Sequence, residues 1–90
     1  MDILCVCGMG IGTSVILRSN VEQVAADMGL DVNVQTADAG SAMGTANMCD
    51  LVLTSAELAG QLSGTSTPVE VVSNFMDKDE IRSVLEKYAA

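Results

Sequence analysis

The chain of 90 residues contains no histidine. It has no imidazole to serve as a general base and cannot itself carry a phosphohistidine, so any nucleophile must be activated by its surroundings. Basic residues are also scarce. Arg18, Lys78, Arg82 and Lys87 stand against twelve acidic residues, for a formal net charge of −8. Three of the four fall in the last segment, so no basic patch exists to neutralise a nucleic-acid backbone, and an acidic surface suits anionic lipid poorly. Nucleic-acid binding is excluded. With one tyrosine and one phenylalanine, the core must be built from Val, Leu, Ile, Met and Ala. No apolar run approaches the roughly 20 residues of a membrane span, and no basic region precedes the first apolar run, so a cytoplasmic location is expected. Three cysteines do not complete a set of disulfides. Cys5 and Cys7, with Cys49 far off in sequence, are too few for a closed zinc site. No metal and no cofactor is expected; a reducing compartment with at least one working thiol fits. The length sets an expectation of one small domain, residues 1–90.

What is present alternates between strand and helix. Ile3-Leu4-Cys5-Val6-Cys7 is a short, continuously apolar run of the kind that forms a buried parallel strand, with Cys7 at its carboxyl end. From Ser14 the pattern turns helical: Leu17, Val21, Val24 and Met28 step by helical spacings, and Gly29 stands where a helix would stop. Residues 30–36 alternate apolar and polar, as in a strand with one face or edge exposed. Residues 40–48, with Gly40 and Gly44, allow a short helix at best. Leu51-Val52-Leu53-Thr54 reads as a second fully buried strand. A short helix over 56–62, a loop over 64–67 and a strand over 68–72 follow, Pro68 suiting a strand start. Asp77 and Glu80 form a D-x-x-E start signal resembling a capping box, and Ile81, Val84, Leu85 and Tyr88 line one face of the last helix.

Strand and helix in alternation call for an α/β fold with a parallel sheet covered by helices on both faces. Putting the two continuously apolar strands at the centre and the interrupted ones at the edges, with right-handed crossovers, gives four strands in the order 2-1-3-4. That order reverses between strands one and three, where ligands of such sheets bind. Cys7 falls at that point.

The residues after it are Gly8-Met9-Gly10-Ile11-Gly12-Thr13-Ser14. Glycines let backbone N–H groups converge on one point, and a helix amino terminus adds partial positive charge there. A thiol facing that cradle is placed to become a thiolate and to carry a phosphoryl group. Cys5 and Cys49 read instead as small buried filler. Met9 and Ile11 either fold onto the core or give an apolar docking surface around Cys7; Arg18 is a solvated helix residue that can also pair with a partner. The glycine string lacks the third glycine of a dinucleotide fingerprint, Thr13 standing there. A nucleoside-triphosphate loop would need a lysine, and none precedes Lys78. Cys5 and Cys7 as a redox pair would sit roughly 6–7 Å apart along a strand, too far for an easy disulfide. A cysteine-phosphatase loop, C-x5-R-S, matches from Cys7 to Ser14 except that Thr13 replaces the arginine. That arginine would clamp phosphate bidentately and stabilise its displacement. No late aspartate is placed as a general acid, because Asp77 and Asp79 read as helix-start residues.

The run from Cys7 through Gly10, Gly12, Thr13 and Ser14 resembles the active loop of the B components (EIIB) of the bacterial phosphoenolpyruvate-dependent sugar phosphotransferase system. Cys49-Asp50-Leu51-Val52-Leu53-Thr54-Ser55 with Glu57-Leu58-Ala59-Gly60, and Asn74-Phe75-Met76 before the last helix, are similar to its ascorbate-type branch. The galactitol and lactose/chitobiose branches share the cysteine loop but look less similar in the carboxyl-terminal third. The resemblance implies a flavodoxin- or Rossmann-like domain and a relay. An A component bearing phosphohistidine hands its phosphoryl group to Cys7. Phospho-Cys7 passes it to a sugar or sugar acid held by the membrane-embedded C component. Residues 8–14, namely Gly8, Met9, Gly10, Ile11, Gly12, Thr13 and Ser14, then bind the phosphoryl oxygens. The alternative is a small cysteine phosphatase or an arsenate-reductase-like enzyme.

Overall fold

The computed structural model describes residues 1–6, 10–38 and 40–88, the stretch 10–14 by its backbone. Its elements are β1 (Asp2–Val6), α1 (Gly10–Asp27), β2 (Asn33–Ala37), α2 (Ala42–Ala46), β3 (Leu51–Thr54), α3 (Ala56–Ala59) running into a 3-10 turn (Gly60–Leu62), β4 (Val69–Val71) and α4 (Lys78–Tyr88). The strands form one parallel sheet in the order β2-β1-β3-β4, as the sequence pattern predicts.

Each central strand is buried on both sides, and its alternate side chains enter two separate cores. Ile3, Cys5, Leu51 and Leu53 face α1 and α4, meeting Leu17, Val21, Val24, Ile81, Val84 and Leu85. Leu4, Val6 and Val52 face the other way, onto Ala42 and Ala46 of α2 and Leu62. Small residues in the short α2 let it lie close to the sheet. The edge strands are sparser: in β2 only Val34 is buried, which is why its sequence alternates.

Turn chemistry sets the connections. Gly29 ends α1 with φ +73°. There the Leu30 N–H donates to the Ala25 carbonyl and the Gly29 N–H to Ala26, at 2.8 and 3.1 Å, the paired bonds of a Schellman cap. Leu30 is thereby taken into the cap, so β2 begins at Asn33, three residues later than its apolar pattern suggests. Pro68 stands just before β4, and its carbonyl accepts the Val52 N–H at 2.9 Å.

The start of α4 departs from a full capping box. Asp77 Oδ1 accepts the N–H groups of Asp79 and Glu80 at 3.1 and 3.2 Å, as an N-cap should. The Asp77 N–H, however, already donates to the Asn74 carbonyl at 3.0 Å. Glu80 is thus released from the reciprocal bond and turns to the preceding loop instead.

Candidate functional site

Ligands of an open parallel sheet bind beyond the carboxyl ends of its strands, where the strand order reverses. Here the reversal lies between β1, which is followed outward by β2, and β3, which is followed outward by β4. β1 ends there at Val6, and α1 begins at Gly10. Cys7, Gly8 and Met9 join the two and lie outside the described residues, as do the side chains of Ile11, Thr13 and Ser14, while Gly10 and Gly12 are described by their backbone.

The helix starts four residues earlier than the apolar period indicates. Residues 10–14 hold one apolar residue, Ile11, between two glycines, each of which weakens a helix by about 1 kcal/mol, so no helical period is visible before Val15. Once the long helix exists, adding residues to its end avoids the cost of nucleation. From Gly10 onward the backbone amides are therefore those of a first helical turn, whose leading N–H groups have no intrahelical acceptor. The eighteen residues of α1 align their dipoles behind them.

Beside this segment runs a groove of about 330 Å³ lined by Ile16, Ser55, Val72, Ser73, Asn74, Phe75 and Met76. Among the described residues, its lining includes no charged side chain. Ile16 follows two residues after Ser14, while Ser55 and residues 72–76 follow the carboxyl ends of β3 and β4. Ile16 and Met76 expose apolar surface here, Met76 at 72 %.

The loop that forms one wall of the groove is braced from two sides. Asn20 Nδ2 of α1 donates to the Phe75 carbonyl at 2.8 Å. Glu80 of α4 accepts the Ser73 N–H at 3.0 Å, the Ser73 hydroxyl at 2.8 Å and the Asn74 N–H at 3.1 Å. Those donors hold the Glu80 carboxyl below the ordinary carboxylate range, the Ser73 backbone bond first among them. Asn74 closes the loop on itself by accepting the Met76 N–H at 3.0 Å.

Among the described residues, one polar side chain is buried between the ends of β1 and β3. Thr54, the last residue of β3, is fully buried, and its hydroxyl donates to the Val6 carbonyl at 3.0 Å. The Thr54 carbonyl in turn accepts the Val72 N–H at 2.8 Å.

Cys5 is fully buried in the core beneath α1 and α4. Cys49 is half-buried before β3, and burial, then the nearby Asp2 and Asp50 carboxylates, push its thiol above the usual value. The environment of Cys49 is therefore not that of an activated thiolate. Arg18 pairs with Glu22 one turn further along α1 at 3.3 Å, both side chains about half exposed. Asp77 and Asp79 belong to the start of α4. Among the described residues, no group of three His, Cys, Asp or Glu gathers to hold a metal, and no helix is long and apolar enough to cross a membrane.

Sequence reasoning missed the groove, the bracing by Asn20 and Glu80, and the Thr54 bond. Only Thr54 left a trace, as a hydroxyl residue ending an otherwise aliphatic strand.

The four-stranded parallel sheet in the order β2-β1-β3-β4, with helices between its strands, defines an α/β domain whose strand order reverses between β1 and β3. The chain belongs to the family described as the lactose/cellobiose-specific IIB subunit of the phosphotransferase (PTS) system, whose model matches residues 2–87. Similar curated proteins are ascorbate-specific PTS EIIB components. The one from Mycoplasma pneumoniae is 27 % identical over 88 residues, covering 97 % of this chain and 93 % of that protein. The one from Shigella sonnei is 32 % identical over 63 residues, or 70 % and 62 % of the two chains. Among solved structures, the lactose-specific IIB domain from Streptococcus pneumoniae superposes with a TM-score of 0.66 at 18 % identity, covering 98 % of this chain and 97 % of that one. A low molecular weight protein tyrosine phosphatase from Bacillus subtilis does so with a TM-score of 0.64 at 16 % identity, covering 99 % and 95 %. The two superpositions establish a shared fold. As a family member the chain is a phosphotransferase component of sugar uptake and works as a phosphoryl carrier. The family in general works alongside an A component and a membrane-embedded C component.

Proposed function

We propose that Cys7 is the phosphoryl-carrying residue of an ascorbate-type B component. It takes the group from a phosphohistidine on the A component and gives it to a sugar or sugar acid bound by the membrane C component. The whole chain, residues 1–90, acts as one cytoplasmic domain that meets both partners in turn. One observation carries this reading: β1 ends at Val6 and the long helix α1 begins at Gly10, so Cys7 to Met9 connect them at the strand-order reversal and residues 10–14 open the helix. The names of the curated relatives support the ascorbate branch.

The step balances without any further reagent. The Cys7 thiolate attacks phosphorus in line with the phosphohistidine P–N bond. An S–P bond forms, the P–N electron pair returns to the partner's imidazole, and the thiol proton is shed beforehand to solvent. In the second step a substrate hydroxyl attacks phosphorus, the S–P pair returns to Cys7 as its thiolate, and the hydroxyl proton passes to solvent. The chain has no histidine to help, so stabilisation comes from neutral donors: the backbone N–H groups of Gly8, Met9, Gly10, Ile11 and Gly12, which precede the first intrahelical bonds of α1, the hydroxyls of Thr13 and Ser14, and the α1 dipole. Each charge-assisted bond contributes about 1.5–3 kcal/mol, so several together hold a dianion. Thr13 in place of the phosphatase arginine leaves the cradle without a guanidinium to promote hydrolysis. That favours a carrier over a cysteine phosphatase.

The test is incubation with phosphoenolpyruvate, the general phosphotransfer proteins and candidate A components, read by intact mass. Wild type, Cys5→Ser and Cys49→Ser should each gain one phosphoryl group, and Cys7→Ser none. Phosphorylation of Cys7→Ser at the wild-type level overturns the assignment. Release of the group to ascorbate in the presence of an ascorbate-type C component, and not to lactose, tests the branch.

A further inference from the structure

We infer that Thr54 is a positioning residue for the Cys7 thiol, acting through the Val6 carbonyl; this rests on Cys7 being the nucleophile. Thr54 is fully exposed to neither solvent nor loop: it is 0 % accessible, the only polar side chain among the described residues so completely buried. Valine has nearly the same shape and an equal liking for strands, so a buried aliphatic strand gains nothing from a hydroxyl unless that hydroxyl has an acceptor. The acceptor is the Val6 carbonyl, 3.0 Å away, and Val6 stands opposite Thr54 in the β1–β3 register.

That carbonyl belongs to the peptide unit joining Val6 to Cys7. A peptide unit is planar, so holding its oxygen restricts the direction in which the chain leaves the sheet toward the thiol. Thr54 is itself fixed on its other side, its carbonyl accepting the Val72 N–H at 2.8 Å. Val72 lines the groove and adjoins the loop braced by Glu80 and Asn20. A continuous path of hydrogen bonds thus runs from the groove wall through Thr54 to the peptide preceding Cys7. Replacing the hydroxyl by a methyl group leaves a buried carbonyl without its donor. The peptide unit that leads from β1 to Cys7 is then free to turn toward another partner.

The experiment compares Thr54→Val, Thr54→Ala and Thr54→Ser with wild type in phosphoryl transfer from a phosphorylated A component and in the pH dependence of Cys7 alkylation, followed by mass spectrometry. Misplacing a reacting atom by a fraction of an ångström to an ångström slows a reaction about ten- to a hundredfold. Thr54→Val should fall in that range, with an unchanged half-saturating concentration of the A component and a Cys7 alkylation profile moved to higher pH. Thr54→Ser, which keeps the hydroxyl, should restore both. A folded Thr54→Val with wild-type transfer and alkylation overturns the inference. So does failure of both Thr54→Val and Thr54→Ala to fold, which would make the hydroxyl a requirement of the fold alone. Label on a Cys7→Ser control would instead refute Cys7 as the nucleophile, and the alkylation profile, which needs no partner, would still decide the effect of Thr54 on the thiol.

Discussion

Glu80 is the most informative residue to perturb for the loop that walls the groove, because one carboxylate accepts three bonds from two residues. Glu80→Gln keeps the size of the side chain but replaces one oxygen by an amide that only donates. Either the pair of bonds from Ser73 or the bond from Asn74 must be lost, and the negative charge goes with it. An intramolecular hydrogen bond contributes about 0.5–1.5 kcal/mol net, and these bonds are partly open to water, so a total loss of about 1–1.5 kcal/mol is expected. For a domain of this size that lowers the melting temperature by about 4–12 °C. The pH dependence identifies the source. The folded-state carboxyl is held below its ordinary value of 4.5, so its stabilisation is fully present above that value and is lost as pH falls through the depressed one. Melting curves of wild type and Glu80→Gln should be well separated at neutral pH and should converge as acid protonates Glu80. A gap that stays constant into acid, or no gap at neutral pH, refutes the bracing role.

Two further perturbations test the fold and the thiols. Leu53→Ala removes a fully buried side chain from the core between the sheet and α1 and α4, and should cost about 3 kcal/mol in urea unfolding, with an unchanged slope; a loss below about 1 kcal/mol would contradict the packing. Cys49, its thiol pushed up chiefly by burial, should be alkylated slowly at neutral pH and only speed up as pH passes above the usual thiol range; mass spectrometry of each cysteine in turn checks this, and Cys49 reacting first would count against the structure.

The sheet was legible in the sequence because burial on two faces writes itself as continuous apolar runs. Residues 3–6 and 51–54 carry that signal, and both lie at the centre. Alternation around Val34 marked an edge for the same reason. Gly29 announced its own turn, since a position with φ +73° strongly favours glycine, which has no Cβ to clash there. The boundaries that shifted are those where two patterns compete for a residue. Leu30 reads as strand but is consumed by the helix cap, and residues 10–13 read as loop because glycine has no side chain to show a period. Asp77 and Glu80 had the spacing of a capping box, yet spacing does not reveal that Asn74 already occupies the Asp77 N–H. The groove was invisible because it is assembled from α1, the end of β3 and the loop after β4, which meet only in three dimensions. The Thr54 hydroxyl was hidden by the same cause: its acceptor is 48 positions away in the chain.

The central claim is that Cys7 itself holds the phosphoryl group between partners. The most direct measurement is to charge the wild-type protein from a phosphorylated A component, with no C component present, and to locate the added group by tandem mass spectrometry under conditions that preserve thiophosphate esters. The group should lie on the peptide containing Cys7, on its sulfur, and should leave when the charged protein meets its C component and substrate. Location of the group on Thr13, Ser14, Cys5 or Cys49 would contradict the account.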